Sequence, residues 1–168
     1  MKAIVCTDAG DGIGMDDKLL FSFASDMKRF KTLTTDCVVV MGRKTLDTFK
    51  KALPNRINVV LTNQKYLDVP DCIFGTKEQV DLFLNKKKEE GKTIWVIGGA
   101  EIYNLYKDEI DTWEITTVVD SVEHNVSIHP IRLELKGKFD IVKSEVITEI
   151  DRISGLEKTF VNQTYVRK

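Results

Sequence analysis

Asp26 is the first residue whose type and setting could do chemistry. It precedes Phe30 by about one helical turn and adjoins Met27, in a segment where Met27, Phe30 and Leu33 recur three apart. A carboxylate beside such an apolar stripe has a raised pKa and can exchange a proton near neutrality. An Asp in a first helical turn also meets the positive end of the helix. Spacing alone leaves both readings open. Two glycine junctions come next, Met41-Gly42-Arg43-Lys44-Thr45 and Ile97-Gly98-Gly99-Ala100. If each ends a strand and opens a helix, both lie at the carboxyl edge of an α/β sheet, where ligands bind. Free N–H groups, close backbone approach and two cations there would suit a nucleotide phosphate. A tight turn and a solvated cation pair are the plain alternatives. Arg56 follows a proline turn; it could grip a carboxylate bidentately or stand on the surface.

Other chemistries are disfavoured. The chain has 168 residues with 25 Lys+Arg and 26 Asp+Glu, a net charge of −1, which argues against a general nucleic-acid binder. No apolar run approaches the roughly 20 residues of a membrane span, and the stretch 3–6 is too short for a signal peptide. Cys6, Cys37 and Cys72 are widely spaced without a Cys-x-x-Cys, so a reducing cytoplasm fits better than a disulfide framework. His124 and His129 are the only histidines, which leaves little for zinc or a serine hydrolase. Neither a GxGxxG fingerprint nor a Walker loop occurs.

The elements that must position these residues follow from hydrophobic runs. Strands are expected at 1–7, 37–41, 57–62, 93–97, 113–119, 139–150 and 158–167. Helices are expected at 25–34 (Ser25 as N-cap), 44–52, 77–90 and 100–107. Residues 8–17, with Gly10, Gly12 and Gly14 alternating, read as a loop. The charge run Lys86–Glu90 reads as a solvated helix end. The alternation predicts a single α/β domain over 1–168: a mainly parallel central sheet, an antiparallel C-terminal edge and about four flanking helices.

Five segments carry a family resemblance: Gly12-Ile13-Gly14-Met15-Asp16, Ser25-Asp26-Met27-Lys28-Arg29-Phe30-Lys31, Val40-Met41-Gly42-Arg43-Lys44-Thr45, Leu53-Pro54-Asn55-Arg56 and Val96-Ile97-Gly98-Gly99-Ala100-Glu101-Ile102-Tyr103. Each is weak alone. Together, in this order, the chain resembles the dihydrofolate reductases along most of its length. The resemblance implies NADPH-dependent reduction of 7,8-dihydrofolate to tetrahydrofolate, with hydride to pterin C6 and a proton to N5. It implies that Asp26 hydrogen-bonds the pterin 2-amino group and N3, and that Thr116 supports it. It implies folate contacts at Val5, Cys6, Met27, Phe30, Lys31, Phe49 and Leu53, with Arg56 on the glutamate α-carboxylate. Ile13, Gly14 and Met15 would lie on the loop over the nicotinamide. Gly42, Arg43, Lys44, Thr45, Thr62 and Asn63 would surround the NADPH phosphates. Ile97, Gly98, Gly99, Ala100, Glu101, Ile102 and Tyr103 would meet the cofactor, with a cis peptide at Gly98-Gly99. A cytoplasmic monomer without metal, membrane or nucleic acid is expected.

Two departures stand out. Leu20-Phe21 occupy the place of a frequent Pro-Trp, so an indole N–H is missing. His124-Asn125-Val126-Ser127-Ile128-His129-Pro130 replaces a Gly-Asp and Thr-x-Phe-Pro pattern that stabilises loop closure. A reductase of another pterin or of a ribosylaminopyrimidine, and an idle folate- or nucleotide-binding relative, are the competing readings.

Overall fold

Apolar runs that no polar residue interrupts become the middle of a sheet, because both faces are then covered. The computed structural model describes residues 1–65 and 68–168. In chain order its first half contains β1 (Lys2–Thr7), β2 (Gly12–Met15), β3 (Lys18–Leu19), α1 (Ala24–Thr34), β4 (Val38–Gly42), α2 (Arg43–Phe49), β5 (Ile57–Leu61) and β6 (Cys72–Gly75). Then follow α3 (Lys77–Glu89), β7 (Ile94–Val96), α4 (Ala100–Tyr106), β8 (Thr112–Val118), β9 (Val126–Ser127), α5 (His129–Lys138), β10 (Phe139–Ile150) and β11 (Glu157–Arg167). Eight strands form one sheet in the order β10-β11-β8-β1-β7-β4-β5-β6. From β8 to β6 neighbours run parallel, while β11 and β10 run antiparallel at the edge, as expected.

Alternation along β4 divides the core. Val38 and Val40 face a layer that includes Val80 and Leu84 of α3, Tyr103 and Tyr106 of α4, and Ile131 and Leu135 of α5. Val39 and Met41 face the opposite layer with Phe30 and Leu33 of α1 and Leu46 and Phe49 of α2. A third cluster joins Phe21, Phe23, Val118 and Phe160. Phe21 thus fills the missing-indole position with apolar packing, 6.1 Å from Phe23 between ring centroids.

Several expectations need correction. Among the described residues there are five helices rather than about four. The addition, α5, starts with Pro at its beginning and buries Ile131 and Leu135, one turn apart, while Leu133 between them faces outward. Residues 8–17 contain a strand: β2 pairs with β3 and β9 in a small antiparallel sheet. Short β6, four residues long, was also not anticipated. Helix α2 ends at Phe49 rather than residue 52, because Lys50 turns left-handed at φ 64°.

Ser25 is not the N-cap. Phe23 holds that place without a side-chain bond, and Ser25 lies in the first turn. The backbone N–H and hydroxyl of Ser25 donate to Glu149 at the end of β10, so a carboxylate from a distant strand meets the positive helix end. Next to it, Ser22 N–H donates to Asp151 at 2.9 Å and Arg152 N–H donates to the Ser22 carbonyl at 2.8 Å. The start of α1 is therefore tied to the C-terminal hairpin.

Candidate active site

A cavity of about 540 Å³ opens at the carboxyl ends of β1, β4 and β7, where the parallel strands hand over to α2 and α4. Its apolar end is lined by Val5 and Cys6 from β1, Asp26, Met27 and Phe30 from α1, and Phe49 from α2. This explains why Met27 stays 38% exposed despite its place on the apolar stripe: the stripe runs out of the core into the cavity. Phe30 and Phe49 present nearly parallel rings 6.3 Å apart.

Asp26 is fixed from behind. Register places Cys6, Thr116 and Asn162 side by side across β1, β8 and β11. The Thr116 hydroxyl lies 2.5 Å from Asp26 Oδ1, and Thr116 is 1% exposed. Burial pushes the Asp26 carboxyl above its ordinary range; the Thr116 hydrogen bond and the nearby Arg29 guanidinium oppose this, and Glu149 adds to it. Arg29 is itself paired with Glu114, which also accepts from Thr164 Oγ1 at 2.8 Å. Burial, with Asp26 and Asp151 nearby, drives the Cys6 thiol far up, so it stays neutral.

The opposite end is built for an anion. The first turns of α2 and α4 line the cavity through Arg43, Lys44, Thr45, Ala100, Glu101 and Ile102. Their N-caps are Gly42 and Gly99, which offer no capping side chain, so the first N–H groups have no partner within the helix. Arg43 donates to Asp47 and Gln64, and Lys44 lies 3.4 Å from Asp17 with its side chain 83% exposed. Gly98 and Gly99 share a cis peptide bond, and Gly98 has φ +117°. A Cβ on Gly98 would meet the Tyr103 hydroxyl at 3.3 Å, so glycine suits this approach. Tyr103 donates to the Ile4 carbonyl at 2.6 Å and braces the turn against β1. Thr62, Asn63 and Ile97 also line this end. These groups fit the phosphates of a dinucleotide.

Over the cavity lies the β2 segment, through Ile13 and Gly14. It is held despite the sequence departures noted above. Asn125 N–H donates to the Gly14 carbonyl at 3.1 Å, and Asn125 and Asp16 exchange hydrogen bonds. Fully buried Asp8 accepts from the N–H groups of Gly10, Gly12 and Val122 and lies 3.2 Å from His124 Nδ1. His129 Nδ1 is 2.8 Å from Asp11. Both histidines therefore pin this segment.

Five expected site residues stand outside the cavity wall. Thr116 lies behind Asp26, Met15 follows the lining part of β2, and Lys31 is exposed on α1. Leu53 packs under the second core layer, its N–H and carbonyl both bonded to Asn58. Arg56 donates to the Pro54 carbonyl at 2.9 Å and to Thr34 Oγ1 at 3.1 Å, with its guanidinium 5.8 Å from the Phe30 ring centroid. Conversely, Ile4, Asp17, Lys18, Leu19, Thr48, Leu61 and Val126 line the cavity unforeseen. Ile4 and Leu61 follow from strands already expected. Leu19 and Val126 arrive through the small sheet, whose long-range pairing leaves no local signal.

A family model described as dihydrofolate reductase matches residues 1–164. A type A13 dihydrofolate reductase of Escherichia coli is 32% identical over 136 residues, 80% of this chain and 79% of that protein. A dihydrofolate reductase of Staphylococcus aureus is 28% identical over 149 residues, 83% and 89% respectively. In fold, the chain is similar to the Enterococcus faecalis dihydrofolate reductase solved with NADP(H) and RAB-propyl: TM-score 0.82 at 22% identity, over 99% of this chain and 95% of that one. With a match along nearly its whole length, the chain belongs to the dihydrofolate reductase family.

Proposed function

We propose that this chain catalyses NADPH-dependent reduction of 7,8-dihydrofolate to 5,6,7,8-tetrahydrofolate, as a single domain over residues 1–168. The observation that carries this reading is Asp26: a half-buried carboxylate backed by Thr116, at the apolar end of a cavity whose other end gathers helix N-termini, Arg43 and Lys44. Bound NADPH supplies the hydride. Asp26 accepts hydrogen bonds from the pterin 2-amino group and N3, which fixes the ring's orientation and raises the basicity of N5. Its raised pKa keeps it close to proton exchange, and water delivers the proton to N5. Phe30 and Phe49 hold the middle of the substrate between apolar faces, and Val5, Cys6 and Met27 exclude bulk water from the reacting end. Arg56, its plane fixed by Pro54 and Thr34, receives the glutamate α-carboxylate at the rim, with Leu53 three residues before it and Lys31 contributed by α1. Arg43, Lys44, Thr45, Thr62 and Asn63 hold the phosphates; Ile13, Gly14 and Met15 cover the nicotinamide.

No helix among the described residues is long and apolar enough to cross a membrane. Near-neutral charge and three free cysteines support a cytoplasmic monomer that binds no nucleic acid. A steady-state assay of nicotinamide oxidation with dihydrofolate tests the activity. Turnover of other pterins or of a ribosylaminopyrimidine in place of dihydrofolate would favour the related reductases. Tight methotrexate binding without turnover would favour an idle relative.

A further inference from the structure

The support behind Asp26 contains a proton count that does not close as a simple pair. Thr116 Oγ1 lies 2.5 Å from Asp26 Oδ1 and 2.7 Å from the side-chain oxygen position of Asn162. A hydroxyl carries one proton, and both of these neighbours are acceptors when Asp26 is ionised. One of the contacts must therefore reverse. Two arrangements satisfy every group. With Asp26 ionised, the Asn162 amide presents its NH₂, which donates to Thr116, and Thr116 donates to Asp26. With Asp26 protonated, the acid donates to Thr116, and Thr116 donates to the Asn162 carbonyl. The two ends of an amide have the same shape, so a half-turn of the side chain converts one arrangement into the other.

We infer that Asn162 is a positioning residue that acts through Thr116 on Asp26, its amide reversing with the protonation state of the acid. Position supports this. Asn162 lies directly opposite Thr116 in the β8–β11 pair and is 7% exposed, and Thr116 is 1% exposed, so bulk water does not substitute for the amide. Its neighbours along the same face are chosen for other work: Val118 and Phe160 pack one step away, and Glu114 and Thr164 bond each other on the other side. An apolar residue at 162 would suit the strand equally well and would leave Thr116 free to turn. Asn162 makes the Thr116–Asp26 bond part of a chain, in which each bond polarises the next. Bonds to a carboxylate are stronger than bonds between neutral groups, so the chain favours ionised Asp26 on balance. Arg29 on α1, Glu149 on β10 and the Cys6 thiol on β1 also face Asp26, and the first two act on it in opposite senses.

The test reads Asp26 directly, by the ¹³C carboxyl shift against pH in the ligand-free protein, which does not depend on turnover. Asn162→Leu is expected to raise the Asp26 midpoint by about half a pH unit, the order of a lost cooperative contribution to one charge-assisted hydrogen bond. Asn162→Asp, an acceptor that brings a second negative charge, is expected to raise it further. The decisive arm is the Thr116→Val background, where Asn162→Leu should move the midpoint no more. An unchanged midpoint in Asn162→Leu would overturn the inference. So would an equal shift with and without the Thr116 hydroxyl, since Asn162 would then act on Asp26 by another route. The kinetic counterpart rests on the proposed reduction of dihydrofolate: the pH profile of kcat should move with the carboxyl midpoint. If the midpoint moves and no dihydrofolate is reduced, the proposed function fails while the inference stands.

Discussion

The two ends of the cavity solve opposite problems. At the Asp26 end, position is imposed by the fold: α1 supplies the acid, and the sheet beneath supplies Cys6, Thr116 and Asn162 in one cross-strand row. At the Arg43 end, cations sit on the first turn of a short helix and are engaged by Asp47, Gln64 and Asp17 at the surface. Charge is half-buried and held against the sheet in the first place, exposed and wet in the second. A buried acid can have its proton affinity tuned, whereas solvated cations supply affinity that a ligand must win from surface partners.

Three substitutions, read in four measurements, would break or sharpen this contrast. The largest effect belongs to Asp26→Asn, which removes the ionisable group: kcat on dihydrofolate near neutral pH should fall roughly 10²-fold or more, within the range of general acid–base contributions. Retention of full turnover would remove Asp26 from the mechanism. Next, Arg43→Ala should raise the KM for NADPH roughly 10-fold, about one lost charge-assisted hydrogen bond, and leave that for NADH nearly unchanged. Equal effects on both cofactors would deny Arg43 a phosphate. Smaller is Gly12→Ala. Its Cβ would lie 2.2 Å from His124 Nδ1, so His124 must leave Asp8. The segment over the cavity should loosen, with a several-fold higher KM for NADPH and a destabilisation of about 1–2 kcal/mol in denaturant unfolding.

The smallest is a pH effect on stability. Because the folded-state pKa of Asp26 is raised, the native state binds its proton more tightly than the unfolded chain. The stability it contributes is full below the ordinary Asp range and is lost as pH rises through the raised value. Asp26→Asn should thus melt higher than the parent at pH 8, and the gap should close near pH 3.5. A constant gap would mean that the acid's burial does not govern it.

Much of this frame could be read in the chain. Uninterrupted runs such as Cys37–Met41 declare strands covered on both faces, and Gly98-Gly99 marks a handover to a helix. The acid was legible because an Asp among Met27, Phe30 and Leu33 is out of place. What escaped is long-range. Asn162 looks like any polar residue on a half-buried strand until register sets it against Thr116. Asp8 reads as a solvated loop residue, yet it is fully buried because backbone donors from two segments converge on it. Helix α5 carries too few apolar residues to announce itself, and β2, β3 and β9 exist only through their mutual pairing.

Ser25 and Ser22 give the arrangement a further consequence. Because the first turn of α1 borrows Glu149 instead of its own cap, and Ser22 just before the helix holds Asp151, the helix start cannot come loose while the hairpin end stays in place. Amide hydrogen exchange at Ser22 and Ser25 should therefore slow and quicken together with that of Arg152. The acid-bearing helix and the last strands of the chain would open as a single cooperative unit.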